Sequence, residues 1–143
     1  TGVQTCALPI SEITENVSQV SALKSIREKM VELQREMAGK HNVIMDGRDI
    51  GTTVLPDAEV KIFLIASVAS RAKRRFLDFQ EKGIHQDLKD IEHDIEVRDY
   101  KDSHREISPL KKAADAIELD TTNLTIDEVV AKISEIIQKK QKN

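Results

Sequence analysis

Apolar residues recur at every third or fourth position between residues 13 and 37, a spacing typical of amphipathic helices. The pattern predicts two helices, at about 12–21 and 26–38. Ser25 and Glu28 form a Ser-x-x-Glu capping box, which predicts the start of the second helix. Gly39 is predicted to end that helix in a left-handed conformation.

Three stretches are predicted to be strands: 42–46, 59–66 and 114–119. The second is nearly all apolar at its centre, as a strand covered on both faces should be. Further helices are predicted at 67–82, at 87–105 and from 125 onward. Ser67 is a predicted N-cap, Gly83 ends the same helix, and Thr125 with Glu128 forms a second capping box. Because strands alternate with helices, the pattern predicts an α/β fold with a parallel sheet flanked by helices.

The stretch VIMDGRDIGTTVLPD at 43–57 runs from the first predicted strand into a turn. Arg48 and Asp49 lie side by side in this turn, between two glycines. In open α/β sheets, ligands bind outside the carboxyl ends of the strands. An adjacent arginine and aspartate at that place suit an anionic ligand that also forms hydrogen bonds.

Further arginines fall on predicted helix faces. One face has three, spaced i, i+3 and i+4: Arg71, Arg74 and Arg75. A second reads plus, minus, plus: Arg98, Asp102 and Arg105. A guanidinium group binds phosphate oxygens through two parallel hydrogen bonds and never loses its charge, as phosphoryl transfer requires. Two alternatives stay open. In the first, the face with Arg71, Arg74 and Arg75 is only a solvated surface, which its spacing alone favours. In the second, the face with Arg98, Asp102 and Arg105 is a surface ion-pair ladder that contributes about 0.3–0.5 kcal/mol per pair.

Composition narrows the class of protein. The 143 residues have the length of one domain, and the net charge of −3 lacks the basic footprint of a nucleic-acid-binding protein. No apolar run approaches the roughly 20 residues that cross a bilayer. The single cysteine, Cys6, favours a reducing cytoplasm. The 4 histidines have no metal-ligand spacing, so no metal site is predicted within the chain.

The first ten residues, TGVQTCALPI, have no helical period and resemble translated sequencing-adapter sequence. We therefore expect residues 1–10 to be non-native, with a short genuine loop as the alternative. The chain also lacks a Gly-x-x-x-x-Gly-Lys-[Ser/Thr] phosphate loop, since none of its 5 glycines begins one.

These motifs together resemble the bacterial cytidylate kinases, of the nucleoside monophosphate kinase group. The matching stretches are DGRDIGTTVLPDA at 46–58, KIFLIAS at 61–67, SRAKRRFLDFQEKG at 70–83, VRDYKDSHREISPL at 97–110, AADAIELDTT at 113–122 and ITENVSQVSALKSIREKM at 13–30. Ser70 departs from the family, which often has an acidic residue there. A larger departure is that family members begin with a strand and a phosphate loop.

The resemblance implies a P-loop-kinase-like three-layer fold that lacks this N-terminal strand and phosphate loop. Residues 11–143 are then the C-terminal part of one domain, with a mobile lid at about 71–107. The resemblance also implies site residues. Cytosine is read by Ser18, Arg27 and Asp49. The CMP phosphate is held by Arg48 and Arg105, and the sugar hydroxyls by Arg98 and Asp102. The ATP phosphates are bound by Arg71, Arg74 and Arg75, and the catalytic arginines are Arg48, Arg105, Arg74 and Arg75.

The implied activity is transfer of the ATP γ-phosphoryl group to CMP or dCMP, giving ADP and CDP or dCDP. Mg²⁺ is then held mainly by phosphates and by the missing loop, so no metal ligand is assigned in this chain. We expect a cytoplasmic monomer that binds CMP, dCMP and ATP but neither nucleic acid nor membrane. We expect the 143-residue chain alone to be inactive.

Two other functions stay open. The first is a non-catalytic nucleotide-binding or interaction domain that has lost its phosphate loop, which the DNA upstream of codon 11 distinguishes. The second is a sister kinase acting on UMP or AMP. The implied set of Ser18, Arg27 and Asp49 argues against this second function, and a comparison of CMP, UMP and AMP as substrates tests it.

Overall fold

The structure is a computed structural model that describes Val20 and residues 23–141. Within these residues, four α-helices match helices predicted from the sequence. The helices are α1 (Lys24–Lys40), α2 (Val68–Glu81), α3 (Leu88–His104) and α4 (Ile126–Gln141). Two strands follow the apolar runs: β1 (Ile62–Ile65) and β2 (Ile117–Asp120). The chain divides into two units, one ending at Ile44 and the other beginning at Met45. Helix α1 belongs to the first unit, and the remaining helices and strands belong to the second.

The two strands lie in parallel, with Ile62 opposite Ile117. Parallel neighbours need a crossover connection, and α2 with α3 provides it. The Thr121 amide extends the ladder by donating to the Ile65 carbonyl at 2.8 Å. The prediction of a mixed α/β fold with a parallel sheet is confirmed, although both strands are shorter than their apolar runs.

The first predicted strand, at 42–46, is wrong, because these residues have irregular backbone. A strand requires a neighbouring backbone to complete its ladder, and no neighbour pairs with 42–46 within the described residues. Ile44 is 98% exposed, so the run has no apolar neighbour at that position either. An apolar run thus predicts the capacity to form a strand but not the presence of a partner.

Three of the predicted helix signals are confirmed. The Ser67 hydroxyl accepts a hydrogen bond from the Ser70 amide at 3.2 Å, at the start of α2. At the start of α4, the Thr125 amide donates to Glu128 Oε2 at 2.8 Å, and the Glu128 amide donates to Thr125 Oγ1 at 3.3 Å. Gly83 follows α2 with a φ of 70°, in the left-handed region that favours glycine.

Both predicted ends of α1 are wrong. The helix begins before Ser25, with Leu23 as N-cap and no side-chain cap, because the Arg27 amide already bonds to the Leu23 carbonyl at 2.9 Å. Gly39 lies inside the helix, which continues through Lys40. The helix predicted at 12–21 lies outside the described residues except for Val20.

The fully buried apolar side chains of the described residues are Val54, Ala72 and Ile91. Ala72 is on α2 and Ile91 on α3, two helices that pack against each other. The small Ala72 side chain permits a close approach between neighbouring helices. No described helix has both the length and the apolar character needed to span a membrane.

Candidate functional site

The chain after residue 46 leads into a π-helical turn, Ile50–Val54, with Asp49 at its N-cap. The Asp49 carbonyl accepts hydrogen bonds from the Thr53 amide at 2.8 Å and the Val54 amide at 3.2 Å. Val54 is 1% exposed and anchors the turn in the core, while Asp49 itself is 3% exposed. The backbone therefore fixes Asp49 and, beside it, Arg48. Such turns are rare and frequently occur at functional sites.

Asp102, on α3, lies against this turn and contacts two of the predicted arginines. Its Oδ2 atom is 2.8 Å from Arg48 Nε and 3.9 Å from Arg98 Nε. Both contacts are ionic, because Oδ2 accepts no hydrogen bond within the described part of the chain. The Asp102 side chain is 8% exposed, whereas those of Arg48 and Arg98 are 41% and 44% exposed. A buried carboxylate thus orients two half-exposed guanidinium groups.

Arg105 follows the last residue of α3 and also contacts the residues of the turn. Its Nη2 atom lies 4.0 Å from Asp49 Oδ1, and its Nε donates to the Ser108 carbonyl. Ser108 has a φ of 53°, a left-handed conformation in which a serine is strained. Nη2 is buried and has no hydrogen-bond acceptor among the described residues. The predicted ladder Arg98–Asp102–Arg105 is thus divided, because Arg105 pairs with Asp49.

We call these five residues the arginine–aspartate cluster: Arg48, Asp49, Arg98, Asp102 and Arg105. Its ion pairs cross, since the arginine of the turn contacts an aspartate of α3 and the arginine after α3 contacts the aspartate of the turn. Three guanidinium groups and two carboxylates leave one positive charge in excess. Oriented guanidinium groups with a positive excess suit an oxyanion such as phosphate.

The guanidinium groups of the second set of predicted arginines, Arg71, Arg74 and Arg75, do not meet at one place. Arg71 donates to both carboxylate oxygens of Asp99, at 3.0 and 2.5 Å, and thereby joins α2 to α3. Arg74 donates to the carbonyls of Thr121 and Leu124, beyond the end of β2. The guanidinium of Arg75 lies 5.1 Å from the centre of its neighbouring aromatic ring on α2, Phe79. In this arrangement, the three guanidinium groups contact three different parts of the second unit.

Hydrogen bonds tie the segment after β2 to the start of α2. The Ser67 amide donates to Thr122 Oγ1 at 3.0 Å, and the Ser70 hydroxyl donates to the Thr122 carbonyl at 2.8 Å. Hydrogen bonds from the Thr122 side chain and amide hold the pKa of Asp120 below its usual range. The ends of both strands and the first turn of α2 are therefore held together.

The two remaining predicted site residues lie outside this arrangement. Ser18 is outside the described residues. Arg27 belongs to α1, in the unit that ends at Ile44, whereas the arginine–aspartate cluster belongs to the unit that begins at Met45. The assignment of these residues to cytosine recognition stays a prediction.

Three polar residues that sequence reasoning missed have specific contacts. Asp99 is the partner of Arg71. Lys61 has a side chain that is 7% exposed, and its Nζ lies 2.9 and 2.7 Å from the two carboxylate oxygens of Asp115. This hydrogen bond from Lys61 lowers the pKa of Asp115. Lys61 lies between Val60 and the apolar residues 62–66, and this is the one signal that marks it in the sequence.

A cleft of about 510 Å³ opens beside the connection between α2 and α3, lined by Phe76, Gln80, Ile84, His85, Gln86, Asp87 and Asp90. None of the predicted site residues lines it. Within the described residues, no group of three or more His, Cys, Asp or Glu side chains is placed to hold a metal ion. The arginine–aspartate cluster is thus the candidate site that best matches the predictions.

Comparison of the sequence with known proteins finds a matching family. The family model for cytidylate kinase matches residues 4–139. A cytidylate kinase of Lactobacillus gasseri is 96% identical over 137 residues, which are 96% of this chain and 60% of that protein. One of Lactobacillus johnsonii is 97% identical over 132 residues, 92% of this chain and 57% of that protein. One of Streptococcus agalactiae is 57% identical over 135 residues, 94% of this chain and 60% of that protein. The chain spans about 60% of the length of these relatives.

Proposed function

Because this chain belongs to the cytidylate kinase family, we propose that the full-length protein transfers the γ-phosphoryl group of ATP to CMP or dCMP. The products are ADP and CDP or dCDP. The proposal includes the P-loop-kinase-like three-layer fold for the whole protein, a cytoplasmic location and a monomeric state. It assigns to this chain the half of the site that binds the phosphoryl acceptor.

The observation that carries the proposal is the buried Nη2 atom of Arg105. A buried charged donor without an acceptor costs free energy, and this one has no acceptor in the described part of the chain. A phosphate oxygen supplies the missing partner after a shift that uncovers Nη2, since the Arg105 side chain as a whole is 20% exposed. Arg48 is half-exposed and is oriented by Asp102, so we propose that it binds the same anion. The two arginines therefore form a clamp for the CMP phosphate.

The remaining residues of the arginine–aspartate cluster then contact the rest of the nucleotide. Arg98 and Asp102, an ion pair on one helix face, bind the sugar hydroxyls. Asp49 reads the cytosine together with Ser18 and Arg27. A site built from such hydrogen bonds rejects other bases, because its polar groups would be left without partners.

Binding of the phosphoryl donor, ATP, requires Arg71 and Arg74 to exchange their present hydrogen-bond partners. For Arg71 and Arg74 to bind ATP phosphates, each must leave the carboxylate or carbonyl oxygens that it contacts in this structure. Closure of a lid over the substrates provides such an exchange. Arg75, which lies over the ring of Phe79, completes the proposed set.

The proposed reaction is an in-line displacement with no covalent enzyme intermediate. The residues of this chain orient the acceptor phosphate and stabilise the negative charge of the transferred group. The described residues hold no cluster suited to a metal ion, so we assign no Mg²⁺ ligand and derive no step through Mg²⁺. Phosphates and residues outside this chain would hold that ion.

The test uses the completed protein, which we define as residues 11–143 of this chain joined to the remaining residues of the Lactobacillus gasseri relative. ADP formation is measured with CMP, dCMP, UMP or AMP as acceptor. Arg48→Ala should lower kcat/KM for CMP by about 10²-fold, because it removes charge-assisted hydrogen bonds to the phosphate of the acceptor. Lys101→Ala is the matched control, since it removes an exposed cation from α3 outside the cluster.

An unchanged kcat/KM in Arg48→Ala would exclude the phosphate clamp. Higher kcat/KM values with UMP or AMP than with CMP would assign the protein to a sister kinase. Binding of CMP without turnover by the completed protein would instead favour the non-catalytic nucleotide-binding domain. The 143-residue chain alone should form no ADP in the same assay, because its sequence has no phosphate loop for ATP.

A further inference from the structure

Lys61 has a largely buried side chain and lies at the base of the turn that carries Arg48 and Asp49. It directly precedes β1, and its side chain is 7% exposed although its partner Asp115 is 64% exposed. Burying a lysine costs free energy unless its ammonium group is paired. Here Nζ is paired, with both carboxylate oxygens of Asp115 at 2.9 and 2.7 Å. The ammonium group is therefore fixed in one position.

The same ammonium group also holds the chain that leaves the turn. Lys61 Nζ donates to the carbonyl of Pro56, which lies two residues after the π-helical turn Ile50–Val54. The backbone of Lys61 is fixed as well, because its carbonyl accepts a hydrogen bond from the Ile117 amide at 2.9 Å. Lys61 thus connects the exit of the turn to the two-stranded sheet.

The stem of the lysine supports the entrance of the turn. A Cβ atom added at Gly51 would lie 3.3 Å from Lys61 Cδ and 3.6 Å from Lys61 Cγ. The Gly51 backbone therefore lies directly on the methylene groups of Lys61, and a side chain at this position would displace them. Gly51 is two residues from Asp49, whose carbonyl closes the turn through Thr53 and Val54.

We propose that Lys61, held by Asp115, is a positioning residue that fixes the turn and through it the placement of Arg48 and Asp49. Lys61 does not touch the substrate. It acts by supporting the turn at Gly51 and holding its exit at Pro56. This inference rests on the proposed function, because it assigns Lys61 to the acceptor half of the phosphoryl-transfer site.

The test compares two variants of the completed protein. Lys61→Met keeps a stem of similar length and removes the ammonium group, whereas Asp115→Asn keeps Lys61 and weakens its anchor. Both should raise KM for CMP by about tenfold, less than the 10²-fold loss that a 1 Å misplacement can cause. KM for ATP should stay unchanged, because the arginines proposed for ATP lie on α2.

The matched control is Lys112→Met. Lys112 pairs with Glu118 of β2 at 3.0 Å, so it is also a lysine–carboxylate pair at this sheet. It is 44% exposed and has no contact with the turn among its polar contacts. This variant should leave both KM values unchanged.

Hydrogen exchange gives a readout that does not depend on activity. The amides of Thr53 and Val54, which bond to the Asp49 carbonyl, should exchange faster in Lys61→Met and Asp115→Asn but not in Lys112→Met. If Lys61→Met fails to fold, Asp115→Asn decides the result, since it leaves the stem of Lys61 beneath Gly51.

Unchanged exchange at Thr53 in a folded Asp115→Asn variant would overturn the proposal. So would an equal rise of the KM values for CMP and ATP, which would indicate general destabilisation. A completed protein that phosphorylates no CMP would refute the proposed function instead. The exchange rates would then still determine whether Lys61 fixes the turn.

Discussion

Arg48 Nε lies 2.8 Å from Asp102 Oδ2, so the turn after residue 46 and the last turn of α3 are joined by an ion pair. A second pair joins the same two segments with the charges reversed, from Arg105 to Asp49 at 4.0 Å. Because each segment contributes one cation and one anion, neither can shift without separating both pairs. The crossed pairs therefore hold the proposed acceptor site in place before any substrate binds.

A double-mutant cycle measures what burial adds to the first pair. Arg48→Ala, Asp102→Ala and the double variant of the completed protein should give a coupling free energy of about 1–3 kcal/mol. Asp102 is buried, so water screens its charge poorly. The free energies of unfolding are obtained by urea denaturation.

The control cycle is Lys29 with Glu32 on α1, an ion pair at the same 2.8 Å whose side chains are 63% and 66% exposed. Exposed pairs of this kind couple by about 0.3–0.5 kcal/mol. Equal coupling in the two cycles would mean that distance, rather than burial, determines the strength of the Arg48–Asp102 pair.

Local patterns predicted what local interactions determine. The capping box of Thr125 and Glu128 needs only a spacing of three residues, and its hydrogen bonds are present. The ion pair of Arg98 and Asp102 follows from the i, i+4 spacing of a helix. In both cases the two partners are placed by one helix.

Contacts between distant segments were not predictable in the same way. Arg71 and Asp99 are 28 positions apart and on different helices, so no spacing rule connects them. The π-helical turn is equally invisible in the sequence, because it depends on Val54 entering the core and on Lys61 lying beneath Gly51. The strand at 42–46 was wrong for a related reason, since its ladder required a partner that the described residues lack.

Substitution by alanine should change the free energy of unfolding in opposite directions at two glycines, Gly83 and Gly39, which have equal space around them. A Cβ atom would meet nothing within 4 Å at Gly83 or at Gly39. Gly83 has a φ of 70°, where alanine is strained, so Gly83→Ala should lower the free energy of unfolding by about 1 kcal/mol. Gly39 lies inside α1, so Gly39→Ala should raise it by about 0.5–1 kcal/mol. Urea denaturation of the completed protein measures both, and shifts of the same sign would contradict the prediction.

Glu128 should make stability depend on pH at the start of α4. Hydrogen bonds from the Thr125 amide and hydroxyl hold the pKa of Glu128 below its ordinary value of 4.5. Because the folded-state pKa is the lower one, the carboxylate stabilises the fold at pH values above 4.5. This contribution is lost as the pH falls through the folded-state pKa. Glu128→Gln should therefore lower the melting temperature at pH 7, and the difference from wild type should shrink toward pH 3.

Thr125→Ala provides the control for this pH dependence, because it removes one of the groups that lower the pKa of Glu128. In the Thr125→Ala background, Glu128→Gln should have a smaller effect at pH 7 than in wild type. An effect that is independent of both pH and Thr125 would assign the role of Glu128 to some other contact.

Arg71 has one set of partners in this structure and another in the proposed reaction. Its two bonds to Asp99 and a third to the Ala66 carbonyl at 3.1 Å hold it between α2 and α3. A bidentate pair matches the geometry that the same guanidinium presents to a phosphate. Asp99 therefore competes with ATP for Arg71, if Arg71 binds ATP as proposed.

This competition predicts that Arg71→Ala and Asp99→Asn have different effects on KM for ATP but the same effect on the melting temperature. Each breaks the same ion pair, so both should lower the melting temperature of the completed protein. Arg71→Ala should raise KM for ATP by about tenfold, since a charge-assisted hydrogen bond contributes about 1.5–3 kcal/mol. Asp99→Asn should leave KM for ATP equal or lower, because Arg71 is released from its competitor. If both variants leave KM for ATP unchanged, Arg71 serves only to join the two helices, and the proposed ATP site loses that arginine.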